Sequence, residues 1–119
     1  MIEVEVKRNN KSNPVFVEIK GHALFAPYGS DIVCAAVSVL TQTITFALKD
    51  LLGLDPLLNK NEGYLSIALP PEMEAEQEKN CYLLLETMLL GLKETARSYP
   101  KNMSYKDYEA PERRCKPGS

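Results

Sequence analysis

Paired cysteines, histidine clusters and an excess of positive charge are all missing from this chain, and each absence narrows what it can do. The three cysteines, Cys34, Cys81 and Cys115, are odd in number and show neither a CxxC nor a Cys/His ligand spacing, which argues against a disulfide framework and a zinc finger. Fourteen Lys and Arg face sixteen Asp and Glu, for a formal net charge of -2. Phosphate binding needs concentrated Lys and Arg, so no direct nucleic-acid binding is expected, and only Arg113, Arg114 and Lys116 are locally basic. No charged-then-apolar N-terminal segment and no run of about eighteen apolar residues occurs. No membrane association is therefore expected, and the expected location is the reducing cytoplasm, where the cysteines stay thiols. Internal repeats and low-complexity segments are also absent.

What remains is the composition of an ordinary globular domain, 45% hydrophobic and 25% charged. At 119 residues the chain can bury one two-layer core and no second one. Ile2, Val4 and Val6 alternate with Glu3, Glu5 and Lys7, and Val15, Val17 and Ile19 alternate with Phe16, Glu18 and Lys20. The period of two predicts two strands with one buried face, joined through the turn residues 9–14 as an antiparallel hairpin. A helix is expected from about Asp31 to Leu52, capped by Ser30 or Asp31 and stopped at Gly53. Its apolar positions nearly encircle it, more than a chain of this size can cover, so part of it is expected to meet a second copy. A second hairpin turns at Asn59–Gly63, with Leu65, Ile67 and Leu69 inward. A second helix follows the acidic stretch Glu72, Glu74, Glu76 and Glu78, carries the stripe Cys81, Leu84, Leu85, Met88, Leu92 and Ala96, and ends at Pro100.

The expected fold is α/β of the α+β type. It is a two-layer sandwich in which an antiparallel or mixed four-stranded sheet carries two long helices on one face, in the order β-β-α-β-β-α. Residues 103–108 alternate enough for a short C-terminal edge strand. Residues 1–108 form the single domain, and the Pro-, Gly- and charge-rich tail 109–119 reads as disordered.

The chemistry concentrates in one stretch. His22, the only histidine, follows Gly21 at the end of the second strand, and Cys34 stands twelve positions later in the first turn of the first helix. A thiol acts as a nucleophile through its thiolate, which a helix N-terminus and a neighbouring imidazolium both favour. In a catalytic pair Cys34 attacks a carbonyl, His22 moves the proton, and backbone N–H groups of the first helical turn can hold the oxyanion. Asp31 either orients the imidazole or caps the helix. Cys34, Ser38, Thr41 and Thr45 share one polar helix face, which puts Ser38 one turn from the thiol. Strict alternation would put His22 on the sheet face opposite Val17 and Ile19, although Gly21 can release the chain from the pleat. The apolar loop of Leu24, Phe25, Pro27, Tyr28 and Gly29 reads as a substrate-contacting flap. Taken singly, Cys34 also fits a small buried hydrophobe, Cys81 reads as core, and Cys115 as an exposed thiol without a role. A metal site on His22 and Cys34 lacks two ligands. Redox sensing lacks a resolving cysteine nearby in the sequence.

Gly21-His22-Ala23 together with Tyr28-Gly29-x-Asp31-Ile32-Val33-Cys34-Ala35-Ala36-Val37-Ser38 resembles the signature of the bacterial ribosomal-processing cysteine protease family. Leu85-Glu86-Thr87-Met88-Leu89-Leu90-Gly91-Leu92 and the Tyr99-Pro100 stop are similar to its C-terminal half. The resemblance implies a cytoplasmic homodimer, without cofactor or metal, that removes the N-terminal extension of a large-subunit ribosomal protein precursor. It places the nucleophile on Cys34 and the histidine on His22, gives Asp31 and Ser38 supporting roles, and leaves Gly21, Leu24, Phe25, Tyr28 and Gly29 to meet substrate. One departure stands out: Leu24-Phe25-Ala26-Pro27 occupies a loop where family members often carry an extra glycine, and proline restricts φ. The alternative from another class is a non-catalytic dimeric module that binds a ribosomal protein, with Cys34 kept for packing.

Overall fold

The computed structural model describes residues 1–27 and 30–108. The expectations for Tyr28, Gly29, Cys115 and the tail 109–119 lie outside the described residues. The described chain runs β1 (Ile2–Arg8), β2 (Pro14–Lys20), α1 (Ile32–Asp50), β3 (Leu57–Asn61), β4 (Tyr64–Ala68), α2 (Ala75–Ser98) and β5 (Met103–Lys106). All the strands join one sheet in the spatial order β3-β4-β2-β1-β5.

The β1–β2 hairpin pairs antiparallel with Val4 opposite Ile19 and Val6 opposite Val17, so the alternation read from the sequence also sets the register. Its turn is organised by Asn9, whose side-chain Oδ1 accepts from the N–H groups of Lys11 and Asn13 at 2.9 and 3.0 Å. The second hairpin differs from the sequence reading. β3 continues through Asn61, which pairs with Tyr64, so only Glu62 and Gly63 make the turn. Asn59, Lys60 and Asn61 are strand residues because the pairing with β4 satisfies their backbone, an outcome that turn propensity alone does not reveal. Residues 103–106 form the fifth strand, and it lies parallel to β1, with Ile2 opposite Met103. The short C-terminal edge strand expected from the sequence is thus the fifth strand of a mixed sheet.

Ile2, Val4 and Val6 of β1, Val17 and Ile19 of β2, Ile67 of β4 and Met103 of β5 come from one sheet face. They form a single core with Val33, Val37, Ile44 and Leu48 of α1 and Cys81, Leu85, Met88, Leu89 and Leu92 of α2. Full burial of each large aliphatic side chain contributes about 1.5–3 kcal/mol. The stripe of α2 follows the sequence reading except that Leu89 joins it and Leu84 is only partly buried.

α1 ends two residues before the expected Leu52. Leu51 is the C-cap, and Gly53, at φ 67°, donates its N–H to Lys49 O. A left-handed residue there requires the chain to have already left the helix. Gln77 at the start of α2 accepts from Glu74 N–H at 3.1 Å and donates to Leu52 O at 2.9 Å, fastening the two helices end to end. By length and composition α1 is apolar enough to cross a membrane, with a mean hydropathy of 1.6. In this fold one side of it enters the core, while Ile32, Val39, Phe46 and Leu51 stay more than half exposed.

Candidate active site

β2 ends at Lys20 because Gly21 takes φ 98°, a left-handed conformation that breaks the pleat. Gly21 N–H donates to Gly63 O in the β3–β4 turn at 2.9 Å. His22 is thereby delivered to the helix side and does not take the outer sheet face of strict alternation. Its exposed imidazole lies against Gly63, where a Cβ would come within 2.8 Å of Nε2. Ala23 is buried and its carbonyl accepts from Asn102 Nδ2 at 2.9 Å, so the segment carrying the histidine is tied to both ends of the sheet.

Asp31 fixes the other half of the site. Its Oδ1 accepts from Val33 N–H and Cys34 N–H, each at 3.0 Å, as an N-cap. Its Oδ2 accepts from Phe25 N–H at 2.9 Å and Ala26 N–H at 3.4 Å. One carboxylate therefore clasps Phe25 and Ala26 to the helix that bears the thiol. Of the alternatives for Asp31, the structure gives the cap, since both carboxylate oxygens serve backbone N–H groups. The N–H groups of Val33 and Cys34 in the first turn donate to that cap.

Burial alone would raise the carboxyl pKa of Asp31, but the four backbone donors of Cys34, Phe25, Ala26 and Val33 outweigh it and hold the pKa below its ordinary value of 3.8. On unfolding the carboxyl returns to that value. The stabilisation is thus fully present above about pH 4 and is lost as the pH falls through the lowered folded value. Asp31→Ala is expected to unfold at a lower temperature than the parent chain at about pH 6, with the gap narrowing as the pH falls below about 4 and through the lowered folded value. Calorimetry across that range checks this, and a gap independent of pH would show that the carboxylate charge does not matter.

Cys34 is half-buried and Cys81 completely buried. Burial pushes the Cys81 thiol up to about 11, which leaves it a core residue, as expected from its place in the apolar stripe. Cys34 and His22 open onto one groove of about 1040 Å³ between α1 and the β3–β4 hairpin. Gly21, Leu24, Asp31 and Ser38 also line it, and the polar face of α1 continues through Thr41, Gln42 and Thr45 to Lys49. Thr41 is buried, with its hydroxyl donating to Val37 O at 3.0 Å. Phe25 is not part of the lining. Its ring packs edge-on against Tyr99, with centroids 5.5 Å apart.

The sequence model of the family described as cysteine protease Prp matches residues 1–104. The chain belongs to the Prp family. A Prp relative, the ribosomal processing cysteine protease of Bacillus subtilis strain 168, is 32% identical over 105 residues, covering 87% of this chain and 94% of its own length. Among solved Prp structures, that of the essential Staphylococcus aureus ribosomal processing protease with a covalently linked product peptide superposes with a TM-score of 0.81. It is 28% identical and covers 90% of this chain and 99% of that one. A Streptococcus mutans protein of known structure matches with a TM-score of 0.73 at 34% identity, covering 90% of this chain and 93% of that one.

Gly63, Tyr99 and Asn102 support the site of this Prp family member but were not found by reading the sequence. Each acts through backbone or packing contacts made across 40 residues or more of chain, and no local spacing signals such a partner.

Proposed function

We propose that this chain is a site-specific cysteine endopeptidase that removes the N-terminal extension of a ribosomal protein precursor, with Cys34 as nucleophile and His22 as general base and acid. The observation that carries the reading is that the only histidine and a helix-start cysteine, from separate elements, line the same peptide-sized groove. The names of the relatives agree with it, as does the covalently held product peptide in the S. aureus enzyme. From Cys34 to Lys49 the groove follows about 22 Å of helix, room for about six or seven extended residues.

In the first step the Cys34 thiolate attacks the scissile carbonyl carbon, forming the C–S bond and a tetrahedral oxyanion. As that species collapses, the C–N bond breaks and the His22 imidazolium gives its proton to the departing amine, leaving a thioester. Water, deprotonated by His22, then attacks the thioester. The C–S bond breaks, releasing the carboxylate product, and His22 and Cys34 return to their starting forms. Ser38, on the turn after Cys34 and in the same groove, supports the thiol side. Asp31 acts indirectly by holding the loop on the helix.

The exposed apolar residues Ile32, Val39 and Phe46 of α1 and Leu51 at its C-cap favour a homodimer, since exposed apolar surface is costly in water. The acidic balance suits a basic polypeptide substrate better than RNA. Free thiols at Cys34 and Cys81 suit the cytoplasm.

The test is to incubate a peptide spanning the N-terminal extension of the host's own ribosomal protein with this chain and, in parallel, with its Cys34→Ala variant, and to read the products by mass spectrometry. Cleavage at one bond by the parent chain and none by the variant is expected. Binding of the peptide by both proteins without cleavage would favour the non-catalytic module.

A further inference from the structure

The clearest unassigned feature near the site is the turn of the β3–β4 hairpin. We propose that Gly63 is a positioning residue for His22: its bare backbone forms the seat against which the imidazole rests, and the missing side chain fixes where the ring stands in the groove it shares with Cys34. This rests on the reading of His22 as the proton carrier.

Three observations carry the proposal. A Cβ on Gly63 would meet His22 Nε2 at 2.8 Å, Cε1 at 3.2 Å and Cδ2 at 3.5 Å, so the whole ring edge lies over this one backbone position. The same residue holds the histidine's own backbone, because Gly63 O accepts from Gly21 N–H at 2.9 Å. The seat and the residue preceding the imidazole are thus one hydrogen-bonded unit. Finally, His22 is exposed, so the ring can swing into solvent when its seat is filled. A methyl group at Gly63 would therefore displace the ring and leave the core untouched, which separates the proposed role from a purely structural one.

Gly63 also lies at φ 70°, where any L side chain is strained. The protein supplies its own control. Gly53 lies at φ 67° with nothing within 4 Å of an added Cβ, so Gly53→Ala imposes the same backbone strain without touching the histidine.

The experiment compares the full chain with its Gly63→Ala and Gly53→Ala variants by two readouts. Because His22 is the only histidine, its imidazole proton resonances are unambiguous. They are expected to shift in Gly63→Ala but not in Gly53→Ala. On a cleavable peptide, Gly63→Ala is expected to lose about 100-fold in kcat, the scale of a misplacement of about 1 Å, with KM little changed and the pH profile displaced. Gly53→Ala should cleave like the parent chain, and the two variants should show similar losses in Tm. Unchanged histidine resonances in Gly63→Ala would overturn the seat. Equal losses of kcat in both variants, or a loss confined to KM, would overturn the positioning role. Failure of the parent chain itself to cleave would overturn the protease reading and the catalytic role of the seat together, with the resonances still deciding where the ring lies.

Discussion

His22→Ala is expected to lower kcat by a factor of about 10²–10⁴ at neutral pH, the range supplied by a positioned acid–base group. Under the proposed mechanism the thiol loses the base that takes its proton, and the leaving amine loses the acid that returns one. No other histidine in the sequence can substitute. KM should change little, because the groove is lined mainly by other residues of α1 and the β3–β4 hairpin. Added imidazole should restore part of the rate by carrying the same proton through solvent. The double variant with Cys34→Ala should be no slower than Cys34→Ala alone, since groups acting as one unit do not contribute additively. Stopped-time assays on the cleavable peptide measure all of these quantities. A His22→Ala protein that retained its kcat would remove the histidine from the mechanism and leave Cys34 to act with another base.

The largest expected loss of stability lies at the opposite end of β1. Arg8 occupies the next inward position after Ile2, Val4 and Val6, with its side chain 2% exposed. It pairs with Glu86 of α2 at 2.6 Å and with Asp107, itself 4% exposed, at 2.7 Å, and donates to Ser12 O at 2.8 Å. Burial works against the charged guanidinium, but the hydrogen bonds and charges of Asp107 and Glu86 outweigh it and raise its pKa further. The cluster joins β1, the first turn, α2 and the end of β5. Removing the cation would leave Asp107 buried without its partner, which costs about 3–5 kcal/mol. For a domain of this size that corresponds to a fall in Tm of about 10–20 °C. Arg8→Ala should show this loss in thermal and urea unfolding. Replacing Arg8, Glu86 and Asp107 together by Met and Leu should recover most of it, because no buried charge then remains unpaired. A small loss in the single variant would mean that water reaches Asp107.

How much of the molecule the sequence reveals follows from the range of each interaction. The strands β1, β2 and β4 and both helices were legible because alternation and helical stripes are local consequences of one buried face. The pair His22 and Cys34 was legible because only one histidine exists and the cysteine follows a capping residue. The sheet order, the parallel pairing of β5 with β1 and the true extent of β3 were not, since each depends on which backbone edge a segment meets. The position of Arg8 follows from alternation, yet its partners lie 78 and 99 residues away.

The sequence by itself determined an α+β domain with a thiol at a helix start and one histidine at a strand end, because periodicity, capping and composition act over a few residues. The tertiary structure decided that Asp31 spends its carboxylate on Phe25 and Ala26 and on the start of α1. It also decided that Phe25 leaves the groove for Tyr99 and that Gly63 lies beneath His22. Those outcomes depend on distances between segments far apart in the chain, and such distances arise only once the sheet and α1 have packed.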